Sequence, residues 1–244
     1  MDYFSLTRAV TEGVFSTVIA PNEFVVDPSR LGFWGHSQGA TTGPLFLAFE
    51  PDIDIATLSG AGAGVVQGLL RKRSPVDIKR GVFAVLREEA DEGHPVLNLM
   101  QQYFAPVDPL NYGSLLARKP IDIVSPPHHL LVVYGQGDTF TPPLTTRIFS
   151  DVLDIPVVLP ALDTELGKAF DGYLEAGRVV EAPMQGNKSF ETGAVTMGMI
   201  HHPPQEYDGH FVAFQNAAAA TRISRFFDSF FSDGVAVIDA VTSP

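Results

Sequence analysis

Gly35-His36-Ser37-Gln38-Gly39 matches the pattern G-x-S-x-G. In that pattern the serine stands at the apex of a sharp strand-to-helix turn, and the glycines keep side chains away from its strained backbone. The turn exposes the hydroxyl and aims the free N–H groups of the following helix at a developing oxyanion. A serine hydroxyl is a poor nucleophile until a base takes its proton, and the base has to be oriented by a carboxylate. Asp138, in GQGDTFTPP, lies 101 residues after Ser37, and His210, in YDGHF, lies 72 residues further on. Acyl transfer through Ser37, with His210 as base and Asp138 as orienter, is the chemistry these three residue types support.

Such residues act only if separate elements bring them together. Short apolar runs at residues 30–34, 53–58 and 130–134 read as buried strands, and 192–201, rich in Val, Thr, Met and Ile, reads as a fourth. Ser37, Asp138 and His210 each follow one of these runs, at the carboxyl ends where open parallel sheets bind ligands. Helices are expected over 4–20, from Pro44 to Phe49, over 143–153 and, as the clearest of the chain, over 211–231, where Phe214, Ala218, Ile223, Phe226, Phe227, Phe230 and Phe231 line an apolar side. Strands separated by helices imply an α/β fold, a mostly parallel sheet flanked by helices. Residues 65–127 hold four helical candidates with prolines near their starts, and read as a helical cap inserted within a single domain of residues 1–244.

The chain has 244 residues, no cysteine, and 16 Lys plus Arg against 28 Asp plus Glu, a net charge of −12. That length suits one core. The negative balance argues against a nucleic-acid partner, whose binding rests on Lys and Arg displacing counterions. No apolar run approaches the roughly 20 residues that span a bilayer, and the first residues lack the basic-then-apolar order of a signal peptide. Compartment stays open, since the lack of cysteine removes disulfide evidence without pointing to a reducing one.

With its three motifs in the order Ser, Asp, His, the chain resembles the α/β-hydrolase superfamily, specifically bacterial lipase- or esterase-like members with a helical cap. The resemblance carries the triad onto Ser37, Asp138 and His210 and gives the backbone N–H of Gln38 one oxyanion bond. It implies that four strands precede a helix like 4–20, and that a loop among them gives a second oxyanion N–H. Against that pattern the sequence reads as the C-terminal part of a longer hydrolase, with residues 30–34 as an unpaired apolar edge open to self-association or a partner. Loss of one oxyanion donor typically costs about 100- to 1000-fold in turnover.

Each residue also has a blander reading. Ser37 could be a structural helix N-cap, Asp138 a cap for the helix that follows, and His210 a buried histidine at a loop-to-helix junction. His36 either lines a substrate site or packs under the turn. His128-His129 and His201-His202 make no bidentate metal pair, because neighbours on an extended segment point to opposite sides. Asp108 and Asp163 are competing acids, and Gly60 to Gly64 resembles a nucleotide loop in composition only. The expected function is hydrolysis of carboxylic esters, small-molecule or lipid, without cofactor or metal, the cap favouring hydrophobic acyl chains. The alternatives are an inactive or partner-completed fragment, and a peptidase of the same fold.

Overall fold

A computed structural model describes residues 2–14, 26–121, 126–161 and 176–241. In chain order its elements are α1 (Tyr3–Thr11), β1 (Leu31–His36), α2 (Gln38–Leu47), β2 (Ile53–Ser59), α3 (Val65–Arg71), α4 (Ile78–Leu86), α5 (Pro95–Phe104), α6 (Gly113–Ala117), β3 (His129–Gly135) and α7 (Pro143–Leu153). The short strands β4 (Val157–Val158), β5 (Val179–Val180), β6 (Met184–Gln185), β7 (Lys188–Phe190) and β8 (Gly193–Val195) follow, then β9 (Met197–His202), α8 (Val212–Gln215), α9 (Ala217–Asp233) and β10 (Val237–Ile238).

Six strands form one sheet in the order β1-β2-β3-β9-β4-β5, and every pairing in it is parallel. The cause lies in side chains that are apolar on both faces. Leu58, Val132, Tyr134, Met197 and Met199 point to the side packed with Phe46, Leu47 and Phe149. Ile55, Leu131, Val133 and Ile200 point to the side packed with Val212, Ile223 and Phe226. Alternation with a period of two thus feeds two cores, and each large side chain buried there contributes on the order of 1.5–3 kcal/mol.

β1 stands at one edge of the sheet, with β2 as its neighbour. Trp34, on that edge strand, is 49% exposed and stacks on Phe214 at 5.7 Å between centroids. α1 starts at Asp2, whose carboxylate accepts the Ser5 N–H at 2.7 Å, and lays Tyr3 and Phe4 edge-on against Phe46. Residues 15–20 of the expected first helix lie outside the described residues.

Two expected elements are broken. Residues 211–231 do not form one helix: the Asn216 side chain accepts the Ala219 N–H at 3.1 Å and starts α9 afresh, leaving α8 and a 3-10 turn, Gly209–Phe211, before it. Phe214 therefore sits on the short first piece, 57% exposed, and not in the core. The strand over 192–201 is interrupted at Thr196, whose hydroxyl turns to the carbonyl of Ala236 and the N–H of Gly186. Before that break β8 pairs antiparallel with β7; after it β9 enters the main sheet. Among the described residues no helix is long and apolar enough to cross a membrane.

The two histidine pairs are separately buried. His129 Nδ1 accepts the Thr196 N–H at 2.9 Å, a bond that only an unprotonated Nδ1 can make, and burial pushes its pKa down from 6.5 to about 4. His202 is likewise pushed down to about 4, by burial first and by the nearby Arg222 second. Between pH 6.5 and 4 the unfolded chain therefore binds protons that these folded rings refuse, so this contribution to stability is lost as pH falls through that window. It amounts to on the order of a few kcal/mol. Glu50 and Asp54, whose carboxyls burial pushes up, act in the opposite sense. The expected outcome is that the ring signals of His129 and His202 hold their neutral-form NMR shifts at about pH 5.5, where an ordinary histidine is mostly charged, while the urea midpoint falls from pH 7 to pH 5. Titration of either ring near pH 6.5 would contradict the assignment.

Candidate active site

β1 delivers the chain into a tight turn in which Ser37 takes φ 54° and ψ −114°. A positive φ at a residue with a Cβ stores strain, of order 1–3 kcal/mol, that its surroundings must hold. They do so through the Ser37 N–H, which donates to the Ser59 carbonyl at 2.9 Å, and the Ser37 carbonyl, which accepts the Thr41 N–H at 3.0 Å. The two motif glycines are not equivalent. A Cβ on Gly35 would stand 2.7 Å from the Gly39 carbonyl oxygen, whereas one on Gly39 would meet nothing nearer than the Tyr3 hydroxyl at 3.7 Å. Although Ser37 occupies the N-cap position of α2, its side chain makes no capping bond, which leaves the hydroxyl available. Gln38 is the first residue of α2, so its N–H has no acceptor within the helix.

Asp138 and His210 form a buried pair, each 2% exposed, with His210 Nδ1 at 2.8 Å from Asp138 Oδ2. The other carboxylate oxygen accepts the N–H groups of Phe140 at 2.8 Å and Thr141 at 2.7 Å. The capping and orienting roles of Asp138 thus fall on different oxygens of one side chain. Since Oδ2 is an acceptor, the proton belongs on Nδ1, and Nε2 is left as the basic nitrogen. Burial pushes the Asp138 carboxyl up; the His210 N–H and charge and the Thr141 N–H pull it back, and Asp208 adds to the upward push. Phe140 stacks on the imidazole at 4.7 Å with the planes 15° apart.

No hydrogen bond joins Ser37 Oγ to His210; the two are brought together through β2 and the turn that follows it. Ser37 is bonded to Ser59, and the next residue, Gly60, has φ +61° and lies so close under the imidazole that a Cβ there would stand 2.9 Å from its ring atoms. The Gly60 carbonyl also accepts the Thr141 hydroxyl at 2.9 Å. Gly60 therefore touches all three loops. Its signal in the sequence is a small-residue stretch following a strand, the same stretch that resembles a nucleotide loop in composition only.

Asp208 is the second residue the sequence did not single out. Its carboxylate accepts the His210 N–H at 2.9 Å, the Thr139 N–H at 3.1 Å and the Thr139 hydroxyl at 2.6 Å. One side chain thereby clamps the loop carrying His210 to the loop carrying Asp138. His36 sets its ring 4.7 Å from that of His210 and its Nδ1 3.3 Å from the Ser59 hydroxyl. It packs against the His210 ring and is absent from the residues lining the cavity at Ser37. Asp108 is fully buried on four N–H donors, those of Gly64, Val65 and Leu110 and the Gln101 amide, away from His210. Asp163 lies outside the described residues.

Ser37 and Gln38 open into a cavity of about 470 Å³ whose further walls come from residues 62–75 and from Phe140 to Thr145. No family model matches the chain, and no curated protein matches it. Among solved structures it is similar to a puromycin-hydrolyzing peptidase of Mycobacterium tuberculosis, at 13% identity and TM-score 0.42, over 82% of this chain and 20% of that one. It is similar to an acylaminoacyl peptidase of Pyrococcus horikoshii at 12% identity and TM-score 0.48, over 96% of this chain and 27% of that one. Acetyl xylan esterase 1 of Thermoanaerobacterium sp. JW/SL YS485 is similar at 15% identity and TM-score 0.42, over 83% of this chain and 48% of that one. The chain thus spans from a fifth to just under half the length of these three structures.

Gly35→Ala is expected to destabilise the fold by more than about 2 kcal/mol, since its Cβ meets backbone, while Gly39→Ala stays within about 1 kcal/mol. Equal effects in chemical denaturation would refute the distinction between the two glycines. Asp208→Ala is expected to weaken the clamp, seen as broadening or loss of the downfield Nδ1–H proton resonance of His210. A sharp, unshifted resonance in that variant would show that the Asp138–His210 bond holds without it.

Proposed function

We propose that this chain is a serine hydrolase that cleaves carboxylic esters through an acyl-enzyme. The observation that carries the reading is the buried Asp138–His210 bond of 2.8 Å, set beside a strained serine whose hydroxyl caps nothing. In the first half-reaction Ser37 Oγ attacks the ester carbonyl carbon while His210 Nε2 takes its proton. The Gln38 N–H steadies the oxyanion, and collapse expels the alcohol, which receives the proton from His210. In the second, water attacks the acyl-serine, loses a proton to His210 and releases the acid, with Ser37 regaining its proton. Asp138 stays an acceptor throughout, holding the productive tautomer and stabilising the imidazolium. In this reading residues 65–127 are a helical cap that supplies much of the cavity wall.

Amide and thioester cleavage use the same triad, so the cavity has to choose. A peptidase that reads a substrate's free ammonium group needs an unsatisfied acid. Among the described residues that line the cavity, Asp108 is the one acid, and its carboxylate is already taken by four N–H groups. This favours esters. The edge position of β1, with Trp34 exposed, supports the rival in which a partner or second copy completes the site.

Incubation with a fluorophosphonate, followed by peptide mass spectrometry, is expected to give a near-stoichiometric adduct on Ser37, absent from Ser37→Ala and slowed by about 100-fold or more in His210→Ala. No adduct on a folded monomer would overturn the reading that this chain alone is an active hydrolase and leave the partner-completed one.

A further inference from the structure

The cavity at Ser37 has a cation in its wall. Lys72, half-buried, lines it together with Leu69 and Pro75, opposite the turn that carries Phe140 and Thr141. Among the described residues its ammonium has no ion pair and no hydrogen bond, unlike Arg71, which bonds Gln67 and faces Glu92 at 3.8 Å. Arg73, the next residue, is exposed and its guanidinium is likewise unpaired. Five of the chain's 16 basic residues, Arg71, Lys72, Arg73, Lys79 and Arg80, fall within ten positions, in a protein of net charge −12.

This cationic turn is not a loose loop beside the site. The N–H groups of Arg73 and Ser74 both donate to the Thr139 carbonyl, at 3.0 and 3.1 Å, and Ser74 Oγ lies 2.7 Å from Thr139 Oγ1. Thr139 is the residue after Asp138 and is the one that Asp208 clamps. Lys72 is therefore held in register with the triad. A lysine at the carboxyl end of α3 would offset the helix's free carbonyls wherever its side chain lay, so that role does not explain its place in the cavity wall. An amine half-removed from water with no counter-charge is a poor arrangement on its own and a good one for receiving an anion.

We propose that Lys72 reads an anionic group on the acyl part of the substrate, so that the preferred esters are those of dicarboxylic acids carrying one free carboxylate. This rests on the ester-hydrolase reading for its chemistry and replaces the expectation of hydrophobic acyl chains. The binding it requires does not depend on turnover.

The test is equilibrium binding of succinate, glutarate and adipate against butyrate, pentanoate and hexanoate, by calorimetry on the full chain and on Ser37→Ala. The expected result, in both proteins, is that at least one dicarboxylate binds ten-fold or more tighter than the monocarboxylate of the same length. That preference should shrink to two-fold or less in Lys72→Gln, survive in Lys72→Arg and weaken with salt. No dicarboxylate preference, no dicarboxylate binding to the folded protein, or a preference unchanged in Lys72→Gln would each overturn the proposal. A parallel assay compares mono-4-nitrophenyl adipate with 4-nitrophenyl hexanoate. Hydrolysis of neither, with the binding preference intact, would sink the hydrolase reading and leave the anion site standing. Hydrolysis of both without preference would do the reverse.

Discussion

A carboxylate and an imidazole removed from water together set the terms for this site. Asp138 and His210 are each only 2% exposed, so the bonds the carboxylate loses to water have to be replaced by fixed donors. Three are present: two backbone N–H groups of its own turn and the imidazole Nδ1–H. Removing the imidazole N–H leaves the buried Oδ2 unpaired, which typically costs about 1–3 kcal/mol, so the loops that carry Asp138 and His210 cannot drift independently. The Asp208 clamp and the close approach of Gly60 to the imidazole follow from that requirement. They hold the pair shut from the outside.

The sheet explains why the pair and Ser37 lie at the same end of the fold. In a parallel sheet all carboxyl ends point one way, so the turns after β1, β2, β3 and β9 converge on one edge although their residues are scattered over most of the chain. β2 is the spacer: it separates β1 from β3 and ends in Ser59, bonded to the Ser37 backbone, followed by Gly60, packed against the His210 imidazole. A residue with a Cβ at position 60 would push the imidazole away. The placement of Ser37 relative to His210 thus depends on a strand that contributes neither residue.

The sequence shows the parts of this arrangement that depend on local rules. The sharp turn at Ser37, the apolar strands over 30–34, 53–58 and 130–134 and the acid in a glycine-bounded turn are all local patterns, and the strands lie within a residue or two of where the residues put them. What stays hidden depends on distant partners. Asp208 is two residues from His210, but its bonds to Thr139 join segments 69 residues apart, and no periodicity reports them. The break at Asn216 is hidden for another reason: Ala217 to Ala220 is a run of strong helix formers that masks the cap before it. Phe214 was misplaced for that same reason, since one helical period was extended across two helices. The equal weight given to Gly35 and Gly39 came from a motif that counts positions, whereas the backbone approaches only one of them.

The acidity of the chain acquires a different meaning beside the cationic turn. At physiological salt a net charge of −12 is screened beyond roughly 8 Å, so the chain as a whole neither attracts nor repels an anionic ester strongly at a distance. Recognition of such a substrate has to be local, and a local charge discriminates best where water is thin and the cation is held still. A flexible surface lysine meets neither condition. Lys72 meets the first in part, being half-buried, and its backbone is anchored through residues 73 and 74 to the carbonyl of Thr139. The same carbonyl belongs to the residue that Asp208 grips, so the contacts that join the Asp138 and His210 loops also anchor the backbone beside Lys72. In the proposed reading chemistry and selectivity share that anchor, and a substitution that loosens Thr139 would be felt by both.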